Sequence, residues 1–203
     1  MPLKQIANFY STYQPETKLS ADTVRAAVLC PLFVEEGVLK ILFIKRSLTV
    51  KTHKGEISFP GGVSEKEDAS LEATSTRETE EEIGVNVNEI TVFGGLDEVN
   101  TTTGFLVSPF VGSIPYPYQF KLSTNEVDSL ITLAIDDFFE PRNKIDFYYF
   151  NGRKLTPQLA FNIDGHVIWG ATAKIMWQFL ELGRKHNLFT KSNSAAQTFH
   201  LAS

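Results

Sequence analysis

One internal helix separates two groups of strand-like segments, and this order constrains the fold of the 203-residue chain most strongly. The helix is predicted over 68–83 and ends before Gly84, a residue type that readily adopts the left-handed conformation at a helix C-terminus. A second long helical pattern follows a strand-like start over 166–186. Because most strands are not followed by a helix, a doubly wound parallel sheet is disfavoured. The sequence therefore predicts an α+β fold in which helices flank a mixed β-sheet.

Short apolar runs bounded by turn residues mark the strands on both sides of this helix. They lie at 24–34, 38–46, 57–59, 90–99 and 104–114. A further strand that runs into a short helix is expected over 129–139, and a hairpin over 144–155. Residues 3–13 are predicted to form a short amphipathic helix. We therefore expect an N-terminal helical extension over 1–22, one domain over 23–189, and a polar tail over 190–203 whose composition predicts disorder.

Charge and composition exclude several classes of function. The formal net charge is −5 and no basic stretch outweighs it, so a nucleic-acid groove lined by lysine and arginine is not expected. No apolar run reaches the roughly 18 residues that a membrane-spanning helix needs, and the N-terminus lacks the pattern of a secretory signal. Cys30 lies in an apolar run and is expected to be a buried thiol. These features predict a cytoplasmic protein that binds neither nucleic acid nor membranes.

The predicted internal helix carries three glutamates on one edge. Glu81 and Glu82 follow Glu78 by three and four residues, so the three carboxylates converge. Glu81 and Glu82 also lie near the C-terminal end, where the helix dipole disfavours negative charge. Two explanations stay open at this point. The acidic edge is solvated and paired with nearby cations, or it holds a hard divalent metal ion such as Mg²⁺.

The segment before the helix favours the metal. It reads "FPGG" at 59–62, and Gly61 and Gly62 leave room for a ligand to approach the backbone closely. A metal-held phosphate would fit against such backbone. Arg77 adjoins Glu78 and has two explanations of its own: a surface ion pair worth about 0–1 kcal/mol, or a residue that orients a metal-binding glutamate.

The segment "RETEEEIGV" at 77–85 resembles the signature of the Nudix hydrolase family, Arg-Glu-x-x-Glu-Glu-x-Gly followed by a small apolar residue. Gly62 lies one residue further upstream than in the usual spacing, and Thr79 replaces the usual aliphatic residue. The resemblance implies a Nudix fold, which is an αβα sandwich around a mixed β-sheet. It also implies hydrolysis of a nucleoside diphosphate linked to another group, with Mg²⁺ or Mn²⁺ as cofactor and water attacking phosphorus.

The same resemblance implies roles for individual residues. Glu81 and Glu82 would be metal ligands, and Glu78 would be a ligand or the base that activates water. Arg77 would support these glutamates, and the carbonyl oxygen of Gly62 would also bind the metal.

Some Nudix enzymes recruit a further acid from a distant loop. Glu126, in the segment "TNEV", is the first candidate for such a metal ligand in this chain. Glu98 is the second candidate.

The segment 42–62 resembles a motif of the coenzyme A pyrophosphatase branch, in which the glycine loop is also one residue longer. The similarity continues downstream and covers roughly 23–186. It implies hydrolysis of coenzyme A or acyl-CoA to 3′,5′-ADP and 4′-phosphopantetheine or its acyl derivative. The substrate's phosphates would then be bound by residues from this segment, namely Arg46, Lys51, His53, Gly61 and Gly62. The alternative for the basic residues is a solvated loop.

Two other functions stay open. The same chemistry could act on ADP-ribose, a nucleotide sugar or a dinucleotide, and a non-catalytic Nudix domain could bind a nucleotide without cleaving it. The intact set of Glu78, Glu81 and Glu82 favours an enzyme, because a binding-only domain need not keep adjacent carboxylates that destabilise its helix. In each case the partner is a small nucleoside diphosphate derivative. The oligomeric state is left open between monomer and homodimer.

Several other residues are expected to be structural. His166 stands at the start of a predicted strand, and Trp169 and Trp177 have apolar neighbours and are expected in the core. The aromatic run at 147–150 is expected to alternate between the two faces of a strand.

Overall fold

The computed structural model describes residues 2–18, 23–50, 53–150 and 152–189. Lys51, Asn151 in the turn of the predicted hairpin, and the tail over 190–203 lie outside the described residues. The helices are α1 (Pro2–Tyr10), α2 (Leu71–Ile83) and α3 (Gly170–Lys185). No helix in the described ranges is long and apolar enough to cross a membrane.

Strands make up most of the remaining regular structure. They are β1 (Val24–Glu35), β2 (Val38–Arg46), β3 (Ile57–Ser58), β4 (Gly61–Val63), β5 (Thr91–Gly95), β6 (Val99–Asn100), β7 (Phe105–Ser113), β8 (Val127–Ala134), β9 (Lys144–Phe150), β10 (Leu155–Ile163) and β11 (His166–Trp169). Short 3₁₀ turns lie at Val87–Glu89, Ile135–Phe139 and Pro141–Asn143.

An eight-stranded mixed sheet forms the centre of the molecule. Its main path runs β3-β2-β1-β7-β5, while β4 pairs with β1, β6 with β7 and β8 with β2. β1 and β7 are parallel, and the other pairs are antiparallel. β1 reads as a nearly continuous apolar run because the sheet is covered on both faces. The predicted α+β class with a mixed sheet is confirmed.

Two apolar cores lie on opposite faces of this sheet. Successive side chains of a strand point to opposite faces, so Cys30 belongs to the core beneath α1 and α3, and Leu29 to the core beneath α2. The helices contribute Phe179 of α3 to the first core and Ile83 of α2 to the second. The αβα sandwich is therefore present. Cys30 is fully buried, as predicted, and burial raises the pKa of its thiol well above the usual value.

Helix α2 begins three residues later than the sequence predicted. Ser70 has extended backbone, and its hydroxyl accepts a hydrogen bond from the Ala73 amide at 3.1 Å, which makes Ser70 the N-cap. Asp68, the predicted first residue, instead lies in the preceding loop. The C-terminus is as predicted: Gly84 has φ 75° and its amide donates to the Glu80 carbonyl.

The strand predicted over 90–99 is interrupted. β5 contains a bulge between Val92 and Gly94 and ends at Gly95, and β6 starts only at Val99. The turn between these strands is hydrogen-bonded to the segment that follows α1, since the Glu98 amide donates to the Glu16 carbonyl at 3.1 Å. The N-terminal segment is thereby attached to the edge of the sheet.

A second, three-stranded antiparallel sheet consists of β9, β10 and β11. The aromatic run of β9 alternates as predicted, since Phe147 and Tyr149 both contact Trp169, with ring centroids 5.3 and 4.9 Å away. The prediction that Trp169 and Trp177 are core residues is only partly correct, because both are half-buried. Trp177 packs at the margin of the core, and the Lys144 ammonium lies 4.4 Å from its ring centroid.

Candidate active site

An open cavity of about 490 Å³ lies where α2 meets the strands β4 and β2 and the loop before β8. β4 forms the floor of the cavity. It pairs with β1 at the centre of the sheet, where Val63 lies opposite Ala26 and Gly61 opposite Val28. Each of these elements contributes polar groups to the lining, which includes Arg46, Gly61, Gly62, Glu78, Glu82 and Glu126. Most of the residues expected at the site are thus brought to one place.

The two glycines of β4 allow α2 to approach the sheet very closely. The Gly61 amide donates a hydrogen bond to Glu82 Oε2 at 3.0 Å. A Cβ atom added to Gly62 would lie 2.5 Å from both the carboxyl carbon and Oε1 of Glu78, which is a steric clash. Any side chain at Gly62 would therefore displace Glu78. Gly62 is needed here for contact with the acidic helix, whereas Gly61 is needed for contact with β1, because a Cβ atom added to Gly61 would lie 2.3 Å from the Ala27 carbonyl oxygen.

Glu82 is a buried carboxylate with few partners. It is 1% exposed, and burial raises its pKa to about 8. The Gly61 amide and the Arg46 guanidinium oppose this rise, while the charges of Glu78 and Glu126 add to it. Arg46 is not in hydrogen-bond contact, because its Nη1 lies 3.8 Å from Glu82 Oε1. The negative charge of Glu82 is therefore poorly compensated by the protein itself.

Glu78 lies beside Glu82 at the same cavity, and its side chain is 15% exposed. Burial raises the pKa of Glu78, and the charges of Glu81 and Glu126 act in the same direction. Arg77 opposes this shift through its charge and a hydrogen bond.

Arg77 is held on the solvent side of α2 by a carboxylate that the sequence analysis missed. Asp68 accepts hydrogen bonds from Arg77 Nε at 2.9 Å and from Arg77 Nη2 at 3.1 Å, in bidentate geometry. Arg77 Nη1 donates to Glu78 Oε1 at 3.0 Å. The guanidinium keeps the pKa of Asp68 well below its usual range. Asp68 thus holds Arg77 in place, and Arg77 in turn orients Glu78. In the sequence, the position of Asp68 two residues before the helix N-cap Ser70 is the signal that could have indicated this role.

Glu81 is separated from the other two glutamates of the helix. Its side chain is 57% exposed, and its Oε2 accepts from Arg77 Nη1 at 3.2 Å. Within the described ranges, no three histidine, cysteine or acidic side chains come together as a ready-made metal cage. Glu78, Glu82 and Glu126 line the cavity without forming such a cage. Glu81 is paired with Arg77 instead.

The two candidates for the distant acid end up in different places. Glu126 lines the cavity, and its charge raises the pKa of both Glu78 and Glu82. Glu98 instead forms an ion pair with Arg25, in which the glutamate is buried and the arginine is 38% exposed, and accepts a hydrogen bond from the Ser108 hydroxyl at 2.7 Å. Glu98 is not among the residues that line the cavity. The pairing of β7 explains this, because β7 lies between β1, which carries Arg25, and β6, which begins directly after Glu98.

The basic residues before the glycine loop also separate. Arg46 lines the cavity, and its Nε is buried without a hydrogen-bond partner in the described structure. His53 is exposed and contacts Glu56, with 2.9 Å between Nδ1 and Oε2, so it lies in a surface loop. Thr49 and Asn125 line the cavity and were not anticipated. They belong to two loops that no sequence motif connects.

Comparison with known proteins agrees with this geometry. The NUDIX domain family model matches residues 23–167. The chain is 29% identical to the uncharacterized Nudix hydrolase NudL of Photorhabdus laumondii over 87% of this chain and 96% of that protein. It is 32% identical to its counterpart in Citrobacter koseri over 78% of this chain and 83% of that protein. A MutT/nudix family protein from Enterococcus faecalis shares the fold, with a TM-score of 0.52, 13% identity, and coverage of 89% of this chain and 69% of that chain.

The sandwich and its acidic cavity define a hydrolase of the Nudix class. With a family model that matches most of its length, the chain belongs to the Nudix hydrolase family. It is a pyrophosphohydrolase, and enzymes of this family use divalent metal cations.

The residues at the cavity fit such a cation. Glu78 and Glu82 supply the carboxylate oxygens that Mg²⁺ and Mn²⁺ prefer, and both carry a charge that burial destabilises. Their position against the backbone of Gly62 leaves space that a Cβ atom would fill. A cation bound there would offset the unfavourable burial of two neighbouring carboxylates.

Proposed function

We propose that this Nudix hydrolase cleaves the pyrophosphate of coenzyme A or an acyl-CoA, giving 3′,5′-ADP and 4′-phosphopantetheine or its acyl derivative. The observation that carries the proposal is the path of segment 42–62. β2 and β3 pair with Ile44 opposite Ser58, and the Arg46 amide donates to the Glu56 carbonyl at 2.9 Å. The segment therefore doubles back, so that Arg46 and the two glycines line one cavity. Arg46, Gly61 and Gly62, from the segment that resembles the coenzyme A pyrophosphatase motif, thus line the cavity beside the acidic helix, and this supports the proposal.

Arg46 is the residue best placed to bind a substrate phosphate. Its buried Nε lacks a hydrogen-bond partner in the described structure, and its closest carboxylate is at 3.8 Å. The side chain as a whole is 23% exposed and lines the cavity, so its terminal nitrogens can donate charge-assisted hydrogen bonds to a phosphate oxygen. The planar guanidinium can also bind phosphate through two parallel hydrogen bonds.

The chain's own residues divide the remaining tasks. Glu82 and Glu78, with the Gly62 carbonyl and Glu126, would hold the divalent cation, which when bound would neutralise charge on the pyrophosphate oxygens. Glu81 would join this set by turning its side chain away from Arg77. Of the two glutamates that α2 brings to the cavity, Glu78 has the more accessible side chain, 15% exposed against 2% for the Glu82 side chain, so it is placed to accept the proton of the attacking water. The oxygen of this water bonds to phosphorus as the anhydride P–O bond breaks, and the electron pair stays on the leaving phosphate.

A substrate panel tests the proposal. The purified protein is incubated with Mg²⁺ or Mn²⁺ and with coenzyme A, acyl-CoA, ADP-ribose, nucleotide sugars and dinucleotides, and products are resolved by mass. We expect the fastest turnover for coenzyme A or acyl-CoA, with the oxygen of the water in one product. Faster turnover of ADP-ribose or a nucleotide sugar would overturn the substrate assignment but keep the reaction. Tight binding of one compound without turnover would favour a nucleotide-binding domain.

A further inference from the structure

Two loops that are distant in sequence are tied together at the edge of the cavity. The first follows β2 and the second precedes β8. The Ser47 amide donates to the Glu126 carbonyl at 2.8 Å, and Thr49 Oγ1 donates to the Asn125 carbonyl at 3.0 Å. The two hydroxyls are 2.8 Å apart, and the Thr49 amide donates to Ser47 Oγ at 3.2 Å. We call this set of contacts the hydroxyl latch.

The second loop is also anchored to the catalytic helix. The Ser123 amide donates to the Glu82 carbonyl at 2.9 Å, beyond which α2 ends. The Glu126 amide in turn donates to the Ser123 carbonyl at 2.8 Å. The backbone of Glu126 is therefore fixed from α2 on one side and from the hydroxyl latch on the other.

This double attachment matters because Glu126 itself lacks burial. Glu126 is exposed, yet it lines the cavity, and its charge acts on both Glu78 and Glu82. An exposed glutamate has several rotatable bonds and is free to point into solvent unless its backbone is oriented. Removing an attachment would let the loop move and would reduce the time that the carboxylate spends at the cavity.

We propose that Thr49, acting with Ser47, is a positioning residue that holds Glu126 at the metal-binding cavity of this hydrolase. The latch also connects the strand that carries Arg46 to the loop that carries Glu126, so that the phosphate-binding and acidic sides of the cavity keep a fixed spacing. This inference rests on the proposed role of Glu126 as an additional metal ligand, and it does not depend on which nucleotide derivative is the substrate.

Binding of Mn²⁺ alone, without substrate, provides the readout. Thr49→Val keeps the shape of the side chain and removes the hydroxyl, and Thr49→Ser keeps the hydroxyl. Thr49 is exposed, so neither change disturbs the core. Thr132→Val, an exposed position on β8, is the matched control for the same chemical change. Mn²⁺ affinity is measured by electron paramagnetic resonance in the wild-type and Glu126→Gln backgrounds.

We expect Thr49→Val to weaken Mn²⁺ binding by about 3- to 10-fold, the range that one hydrogen bond supports, while Thr49→Ser and Thr132→Val change it by less than about 2-fold. In the Glu126→Gln background the same Thr49→Val change should have almost no further effect, because the two residues act through one step. An equal loss in both backgrounds would overturn the proposal. So would unchanged affinity in Thr49→Val with only a lower melting temperature, or a Glu126→Gln protein that binds Mn²⁺ like the wild type.

Discussion

Two carboxylates of this enzyme are almost equally buried and have opposite electrostatic environments. Glu82 is 1% exposed and Glu98 is 4% exposed. Burial raises the pKa of Glu82 to about 8, whereas the pKa of Glu98 is lowered because the Lys18 amide, the Ser108 hydroxyl and Arg25 outweigh its burial. Burial alone therefore does not identify a functional carboxylate.

The number of donors around each group explains the difference. Glu98 accepts hydrogen bonds from the Lys18 amide, Ser108 and Arg25, so the protein itself satisfies its charge. Among the described residues, Glu82 has one hydrogen-bond donor, the Gly61 amide, and the Arg46 guanidinium lies just outside hydrogen-bond distance. A buried charge that the fold leaves unsatisfied is maintained at a cost in stability, which is expected where a cation binds.

The largest effect should come from Glu82→Gln. A metal ligand contributes several kcal/mol of transition-state stabilisation, so we expect turnover to fall by about 10³-fold, since each 1.36 kcal/mol is a factor of ten. At neutral pH the same change should raise the melting temperature of the metal-free protein, because Glu82, with a pKa of about 8, must take up a proton on folding or be buried as a charge, and glutamine does neither. Steady-state kinetics and thermal unfolding in the presence of a chelator check both statements. Near-normal turnover would contradict the assignment of Glu82 to the metal site.

The second effect concerns the contact between the glycine loop and the helix. In Gly62→Ala the new Cβ atom would lie 2.5 Å from the Glu78 carboxyl carbon, so this side chain has to move. A displacement of about 1 Å at a catalytic group can cost about 10²-fold in rate, and we expect a loss of this size. The measurement is turnover at saturating metal.

Gly37→Ala is the control for Gly62→Ala. Gly37 lies in the turn between β1 and β2 with φ 81°, and a Cβ atom there meets nothing within 4 Å. This control should lose about 1 kcal/mol of stability through backbone strain and keep its activity. If Gly62→Ala also kept its activity, close contact between Gly62 and Glu78 would be irrelevant to catalysis.

A third, smaller effect should follow from Asp68→Asn. The amide cannot form the same charge-assisted pair with Arg77, so Arg77 would hold Glu78 less firmly. We expect a loss of about tenfold in turnover, because the orientation of Glu78 is weakened while every proposed metal ligand stays in place. The comparison with Glu72→Gln, an exposed acid in the first turn of the same helix, separates this from a general loss of negative charge. Equal rates in the two variants would show that Asp68 has no positioning role.

The helical part of the site could be predicted from the sequence because its geometry is local. The period of a helix places Glu78 and Glu82 together, and Gly84 marks the end of that helix in sequence and in structure. Residue type also predicted that the backbone of the "GG" pair can be approached closely, although the expected neighbour was a ligand and the structure places the Glu78 carboxylate against Gly62. The predicted sandwich depended only on the order of strands and helices.

The remaining features depend on contacts between distant residues. Glu98 and Glu126 look alike in the sequence, and only the pairing of β7 with both β1 and β6 brings Glu98 to Arg25. Spacing predicted Glu81 beside its neighbours, but the side chain turns to Arg77, because the guanidinium lies one helical turn away. The role of Asp68 required knowing that the loop before α2 folds back onto the helix.

The smallest effect on activity, and the sharpest contrast with Glu82→Gln, should come from Glu98→Gln. We expect turnover within about twofold of wild type, since Glu98 does not line the cavity. Stability at neutral pH should fall by about 2 kcal/mol, because a charge-assisted network is broken while Arg25 stays.

The pH dependence of this stability difference gives a further check. A carboxyl group with a lowered folded pKa stabilises the protein above its unfolded pKa of about 4.3, and this contribution is lost as the pH falls through the folded pKa. The stability difference between wild type and Glu98→Gln should therefore be largest above about pH 5 and shrink towards pH 3 in denaturant titrations. A difference that stayed constant over this range would mean that the side chain's charge is not what stabilises the network.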